Sequence, residues 1–268
     1  MPPLVLTLCV TLAAVVATMT VVWLLSLLKH DASIVDPVWG CGFVIVAVAA
    51  TWLNWPPASR TVLIVALTTV WGLRLSAFLL WRNWGHGEDS RYAAMRTRHG
   101  QRFWWVSLLT VFLLQAVILW FVSLPIQVSA NSAEADALIW LDGVGVLVWL
   151  LGFAFESLGD WQLARFKASP ANAGKVMDRG LWRFTRHPNY FGDFCVWWGI
   201  YLVAVAGGAW WTVLSPLLMS YLLLRVSGVA LLERTILDRR PDYAAYQART
   251  KAFFPGPQRS TRTRTEPG

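Results

Sequence analysis

The feature that most constrains this chain is a succession of apolar runs, each about as long as a membrane crossing. Seven stretches qualify, at 4–28, 34–54, 61–81, 105–126, 137–158, 190–207 and 209–228. A bilayer core about 30 Å thick takes roughly 20 residues of helix. Backbone groups inside lipid must bond within the segment, which leaves helices or a closed barrel. The runs are continuous rather than alternating, so the barrel is excluded. The expectation is an all-α polytopic membrane protein with about seven transmembrane helices. Only Gly207 and Gly208 separate the last two runs, as suits a tight turn. The first run has no basic leader and no clear small-x-small cleavage site, so it reads as a retained helix rather than a signal peptide.

Composition supports this. Charged residues make up 14% of the chain and hydrophobic ones 56%, with a mean hydropathy of +0.49. Soluble domains carry about 25% charged residues, and a chain this poor in charge could not cover a water-facing surface. The 18 tryptophans fit membrane–water interfaces. The pairs Trp104–Trp105, Trp197–Trp198 and Trp210–Trp211 read as such a belt. A net charge of +8 first suggests nucleic acid, but the basic residues alternate with the apolar runs, so topology explains them better. Loops 82–104 and 159–189 and the tail after 228 are rich in Lys and Arg, whereas 127–136 has only Glu134 and Asp136. Positive loops stay inside. Seven crossings then place the N-terminus outside and the C-terminus in the cytoplasm, in a multi-pass inner (plasma) membrane protein. One domain covers 1–257, and the polar residues 258–268 read as disordered. Cys9, Cys41 and Cys195 show no metal or disulfide spacing and read as small buried hydrophobes.

Charges inside apolar runs are costly and mark functional positions. Asp36 opens the second run and Arg74 sits in the middle of the third. Glu156 and Asp160, four apart, share a face at the end of the fifth. Asp193 lies just inside the sixth, Arg225 near the end of the seventh, and Gln115 is a lone amide in the fourth. Structural ion pairs (Arg74 with Asp36, Arg225 with Glu156 or Asp193) are one account. A polar or cofactor-filled cavity is the other, and the grouping of carboxylates near basic loops favours it. No metal site is expected.

The densest stretch is Gly180–Asp193, GLWRFTRHPNYFGD. Arg183, Arg186 and His187 offer donors for phosphate or carboxylate. Pro188 suits the first position of a helix. Asn189 and Tyr190 follow at the helix mouth, where free N–H groups attract anions. An anionic cofactor would sit well here; an anionic lipid contact is the plainer reading.

Arg186-His-Pro-Asn-Tyr-Phe-Gly-Asp193, followed by Trp197-Trp198-Gly199, resembles the steroid 5-alpha-reductase family and the related sterol C14- and C7-reductases. The similarity covers nearly the whole chain and is strongest over 137–257. Asp36-Pro-Val-Trp39, Trp71 with Arg74, Glu88–Tyr92, Glu156–Lys167, Glu233, Tyr243-Ala-Ala-Tyr246 and Phe253-Phe-Pro255 also match. The resemblance implies a seven-helix reductase holding NADPH and passing hydride to a carbon–carbon double bond of a lipophilic substrate drawn from the bilayer. It implies Asn189 and Asp193 at the nicotinamide, and Asp160 and Lys167 facing the cofactor. Tyr190, Arg186 and the tail residues Glu233, Arg239, Tyr243 and Tyr246 would be nearby. Asp36 takes the place of the second-helix catalytic carboxylate.

The family's third-helix Tyr is replaced here by Trp71, and indole is a poor proton donor. Asp36 is therefore the first candidate acid and Tyr92 the second. Isoprenylcysteine and phospholipid methyltransferases, which use S-adenosylmethionine, share the Arg-His-Pro-x-Tyr-x-Gly loop and are the runner-up. A lipid-binding protein without catalysis is the third class. Membrane lipids are expected partners and nucleic acid is not; the oligomeric state stays open.

Overall fold

The computed structural model describes residues 2–132, 137–226, 229, 233 and 242–259. Arg239, Glu134 and Asp136, and residues 260–268 of the tail, lie outside the described residues. Every regular element among the described residues is helical. The main helices are α1 (Leu4–Lys29), α2 (Val35–Leu53), α3 (Ser59–Asn83), α4 (Ser90–His99), α5 (Phe103–Ser107), α6 (Leu114–Val122) and α7 (Leu124–Ala130). They continue with α8 (Trp140–Ala168), α9 (Pro188–Ala206), α10 (Leu214–Tyr221) and α11 (Tyr243–Arg249). A π-helical turn, Leu108–Leu113, joins α5 to α6. Among the described residues, five helical stretches are long and apolar enough to cross a membrane: Leu4–Lys29, Ala32–Leu53, Ser59–Asn83, Ser90–Val122 and Trp140–Ala168. Trp210–Val226 is apolar but shorter.

The residues divide into two compact units, Met1–Val144 with Ile200–Ser215, and Gly145–Gly199 with Pro216–Gly268. In the first, α2 and α3 meet backbone to backbone: a Cβ on Gly40 would collide with the carbonyl of Gly72, and one on Gly72 would lie 2.6 Å from the Gly40 carbonyl. A group of its buried polar side chains is paired, as an apolar medium favours. Thr11 donates to Gln127 (2.6 Å), Gln127 to the Trp120 carbonyl (2.8 Å), and Asn131 to Asn54 (2.8 Å). Arg60 grips Asp142 through two hydrogen bonds of 2.8 and 3.0 Å, both residues being buried. That pair went unnoticed in the sequence, although each partner stands in the first turn of its helix.

The second unit is built on a glycine seam. On α9, a Cβ at Gly192 would meet the Gly152 carbonyl of α8 at 2.6 Å, and one at Gly199 would meet the Gly145 carbonyl at 2.7 Å. Gly159, seven residues beyond Gly152, faces Pro188 and the Asn189 amide at 3.2 Å. Spacing of seven keeps glycines on one side of a helix, so the two backbones run close over several turns.

Two expectations are corrected. Trp197 is fully buried and Trp198 donates to Ser220 Oγ, so this pair belongs to packing rather than to an interfacial belt. Trp104, Trp105, Trp210 and Trp211 are exposed. Of the cysteines, Cys195 is buried but Cys9 faces outward.

Candidate functional site

Within the first unit, the junction of α1 and α2 and the loop before α4 are stitched together. Asp31 caps the turn that precedes α2, accepting from the Ser33 N–H at 2.9 Å. Glu88 accepts from the Ala32 N–H at 2.8 Å and takes a two-pronged grip from Arg96 at 2.8 and 2.9 Å. Asp89 caps α4 through the Arg91 N–H at 2.9 Å. Burial pushes the Glu88 carboxyl up, but the Arg96 and Ala32 hydrogen bonds outweigh it and hold the group below its ordinary range. Asp89 is lowered in the same way, by Arg91 against its own burial.

This bracing presents Tyr92 to Asp36. The phenol donates to Asp36 Oδ1 at 2.7 Å, and the ring is almost fully buried. Arg91 donates to the other carboxylate oxygen at 2.9 Å and to Asp89 at 3.0 Å. Gln115 lies beside the Tyr92 hydroxyl. The structure thus brings three sequence candidates, Asp36, Tyr92 and Gln115, into one cluster. It adds Arg91, which sequence reasoning passed over as an ordinary loop cation. Its position next to Tyr92, in a loop with two acids, was the available signal. Trp71 is buried beside Phe43, and Arg74 packs over the Phe78 ring at 5.3 Å.

In the second unit, Pro188 opens α9 as its spacing predicts. The glycine seam brings Asn189 to α8, where its amide donates to Asp160 Oδ1 at 3.2 Å. Asp160 and Glu156 are buried, and Asp193 stands one turn beyond Asn189 and is half-buried. Lys167, two turns from Asp160, is exposed on the same face of α8.

The rest of the loop is held by the tail. Arg186 donates to both carboxylate oxygens of Glu233, at 2.7 and 3.0 Å, and to the Gln247 and Thr250 carbonyls. The His187 ring lies 3.1 Å from Glu233 Oε1 and stacks on Tyr190 with ring centres 5.6 Å apart. Tyr243 reaches Glu233 at 3.5 Å, and Tyr246 donates to the Trp182 carbonyl. Burial pushes the Glu233 carboxyl up, yet the His187 and Arg186 hydrogen bonds prevail and hold it at about 2. Burial and the Glu233 charge push the Tyr243 phenol up to about 12. Arg186, His187, Glu233, Tyr243 and Tyr246 therefore bind one another and the loop, while Arg183 is exposed and has no side-chain partner among the described residues. Arg225 is exposed and forms no ion pair with Glu156 or Asp193 among those residues.

The protein family described as "protein of unknown function (DUF1295)" matches residues 22–250. An uncharacterized protein of Schizosaccharomyces pombe is 25% identical over 229 residues, which cover 76% of this chain and 66% of that protein. The chain thus spans just under two thirds of that relative's length. No solved structure matches.

Proposed function

The chain belongs to the DUF1295 family, and from the geometry of its two polar clusters we propose that it is an NADPH-dependent membrane reductase of a carbon–carbon double bond in a lipophilic substrate. The observation that carries the reading is the buried Tyr92–Asp36 hydrogen bond, backed by Arg91. Together with the resemblance to steroid 5-alpha-reductases, it supplies the proton donor that Trp71 cannot be. On this reading seven helices cross the inner membrane, with the basic loops on the cytoplasmic side.

The second cluster fits the cofactor's nicotinamide end. A carboxamide needs one donor and one acceptor, and Asn189 and Asp160 present an amide and a carboxylate 3.2 Å apart on two helices locked at backbone distance. Asp193, on the same side of α9 as Asn189, adds a second acceptor. Arg183 and Lys167 are the cations best placed for phosphate groups. Arg186 and His187 instead hold the loop against the tail, so their part is to position Asn189. When bound, NADPH supplies the hydride that saturates one carbon of the double bond.

The other carbon needs a proton, and the first cluster has the chemistry of a donor. Tyr92 and Asp36 hold it between two oxygens 2.7 Å apart. Arg91, on the far carboxylate oxygen, balances the negative charge left when it departs. The Glu88–Arg96 and Asp89 contacts keep that geometry fixed, so little reorganisation accompanies transfer.

Titration calorimetry of the full chain in detergent tests the cofactor directly. NADPH should bind, and Asn189→Ala and Asp160→Ala should each weaken it at least tenfold, about 1.4 kcal/mol. Binding of S-adenosylmethionine in place of NADPH would sink the reductase reading in favour of methyl transfer.

A further inference from the structure

At its C-terminal end α8 carries a groove of about 420 Å³ that the proposed chemistry does not use. Trp161, Phe166 and Met177 give it an apolar floor; Gln162, Arg165 and Arg179 line it with donors, and no acidic side chain takes part. The walls are fixed. Asn172 donates to the Phe166 carbonyl at 2.9 Å, folding the chain back as the helix ends. The Leu181 N–H donates to Gln162 at 3.0 Å, and Gly180, at φ +59°, lies so close that a Cβ would sit 2.5 Å from the Gln162 oxygen. The loop between is thus pinned to α8 at both ends.

Among the described residues, neither of its arginines has a carboxylate partner. Arg165 lies over the Trp161 ring at 5.4 Å, and Arg179 has no side-chain partner among the described residues. The neighbouring acid, Asp178, is engaged by Arg249. At 100° per residue, Gln162, Arg165, Phe166 and Ser169 lie on the side of α8 away from Asp160 and Lys167, so this groove is separate from the proposed cofactor contacts. Depth along the helix indicates the occupant. Roughly 20 residues from Trp140 cross the hydrocarbon core, which brings the last two turns, Trp161–Ala168, to headgroup level. Trp161 is 55% exposed there, as an interfacial anchor would be.

We propose that this groove seats the phosphate of an anionic glycerophospholipid, clamped by Arg165 and Arg179, with Trp161, Phe166 and Met177 against the glycerol and the first methylenes. The ligand chemistry is a phosphate ester presented by the membrane, and the site stands whether or not the protein is a reductase.

The test is native mass spectrometry of the full chain, delipidated and then titrated with phosphatidylglycerol or phosphatidylcholine. Wild type should retain phosphatidylglycerol preferentially. The double variant Arg165→Gln/Arg179→Gln should lower that preference about 25-fold, at roughly fivefold per arginine. Arg98→Gln/Arg102→Gln removes the same charge elsewhere and should change it less than twofold. Equal losses in both double variants would reduce the effect to general surface charge and overturn the site, as would full retention in Arg165→Gln/Arg179→Gln. Displacement of the lipid by millimolar inorganic phosphate would overturn the lipid assignment, whereas persistence supports it.

Discussion

Each unit gathers an arginine, a carboxylate and a tyrosine at a basic segment, and the two gatherings differ in what they leave available. In the second unit, Arg186 places its donors on Glu233 and on two tail carbonyls, and Tyr246 closes onto the Trp182 carbonyl. That set ties the loop before α9 to the tail. In the first unit the tyrosine donates to a carboxylate whose other oxygen takes a cation that is itself half-exposed. On the proposed reading that set stores a proton. The same residue types make a staple where the arginine also ties down backbone carbonyls and the tyrosine lies 3.5 Å from the acid, and on the proposed reading an acid–base pair where the tyrosine donates to the acid at 2.7 Å.

The largest effect expected from this contrast is on turnover. Tyr92→Phe keeps the ring and removes the proton, so it should cut reduction by about 10²- to 10⁴-fold, the usual worth of a positioned acid, with NADPH affinity unchanged; a rate within threefold of wild type would shift the acid to Asp36 alone. Next is the staple. Glu233→Ala leaves the Arg186 guanidinium buried without its carboxylate and should cost about 3 kcal/mol, seen as a lower unfolding temperature in detergent. Unaltered stability there would mean that the tail carbonyls suffice. A smaller effect is expected at the seam. Gly192→Ala forces α8 and α9 apart, for about 1–3 kcal/mol, and should weaken NADPH binding through the Asn189–Asp160 contact while leaving Tyr92 chemistry intact.

A change of pH acts on the same carboxylate. The Glu233 carboxyl is lowered in the folded chain, to about 2 against an ordinary 4.5. Its contribution to stability is therefore present above about pH 4.5 and is lost as pH falls toward 2. Protease cleavage near Tyr243–Arg249 should rise across that window in wild type and be insensitive to it in Glu233→Gln.

The contrast also explains what the sequence could and could not disclose. Helical membrane spans follow from composition alone, and Pro188 opens a helix because its ring fixes φ, so both were readable. Asp36 was readable as a charge that an apolar run must use, and Tyr92 through the family resemblance. The fate of Arg186 was not: its partners lie 47 to 64 residues away, and only folding decides whether a loop arginine meets a ligand or the tail. Trp197 misled for a related reason, because a Trp pair looks alike at an interface and in a core. The glycines at 145, 152, 159, 192 and 199 were visible at spacings of seven, but their meaning depends on α8 and α9 being neighbours.

The most direct measurement is isotope transfer. The full chain in detergent is given NADPH deuterated at the nicotinamide C4 and a panel of lipophilic enones, and the products are read by mass spectrometry. A reductase of this kind should give a saturated product with one deuterium from the cofactor and one solvent hydrogen, with formation collapsing in Tyr92→Phe. No deuterium transfer to any enone, together with methyl transfer from labelled S-adenosylmethionine to a lipid, would contradict the reductase reading.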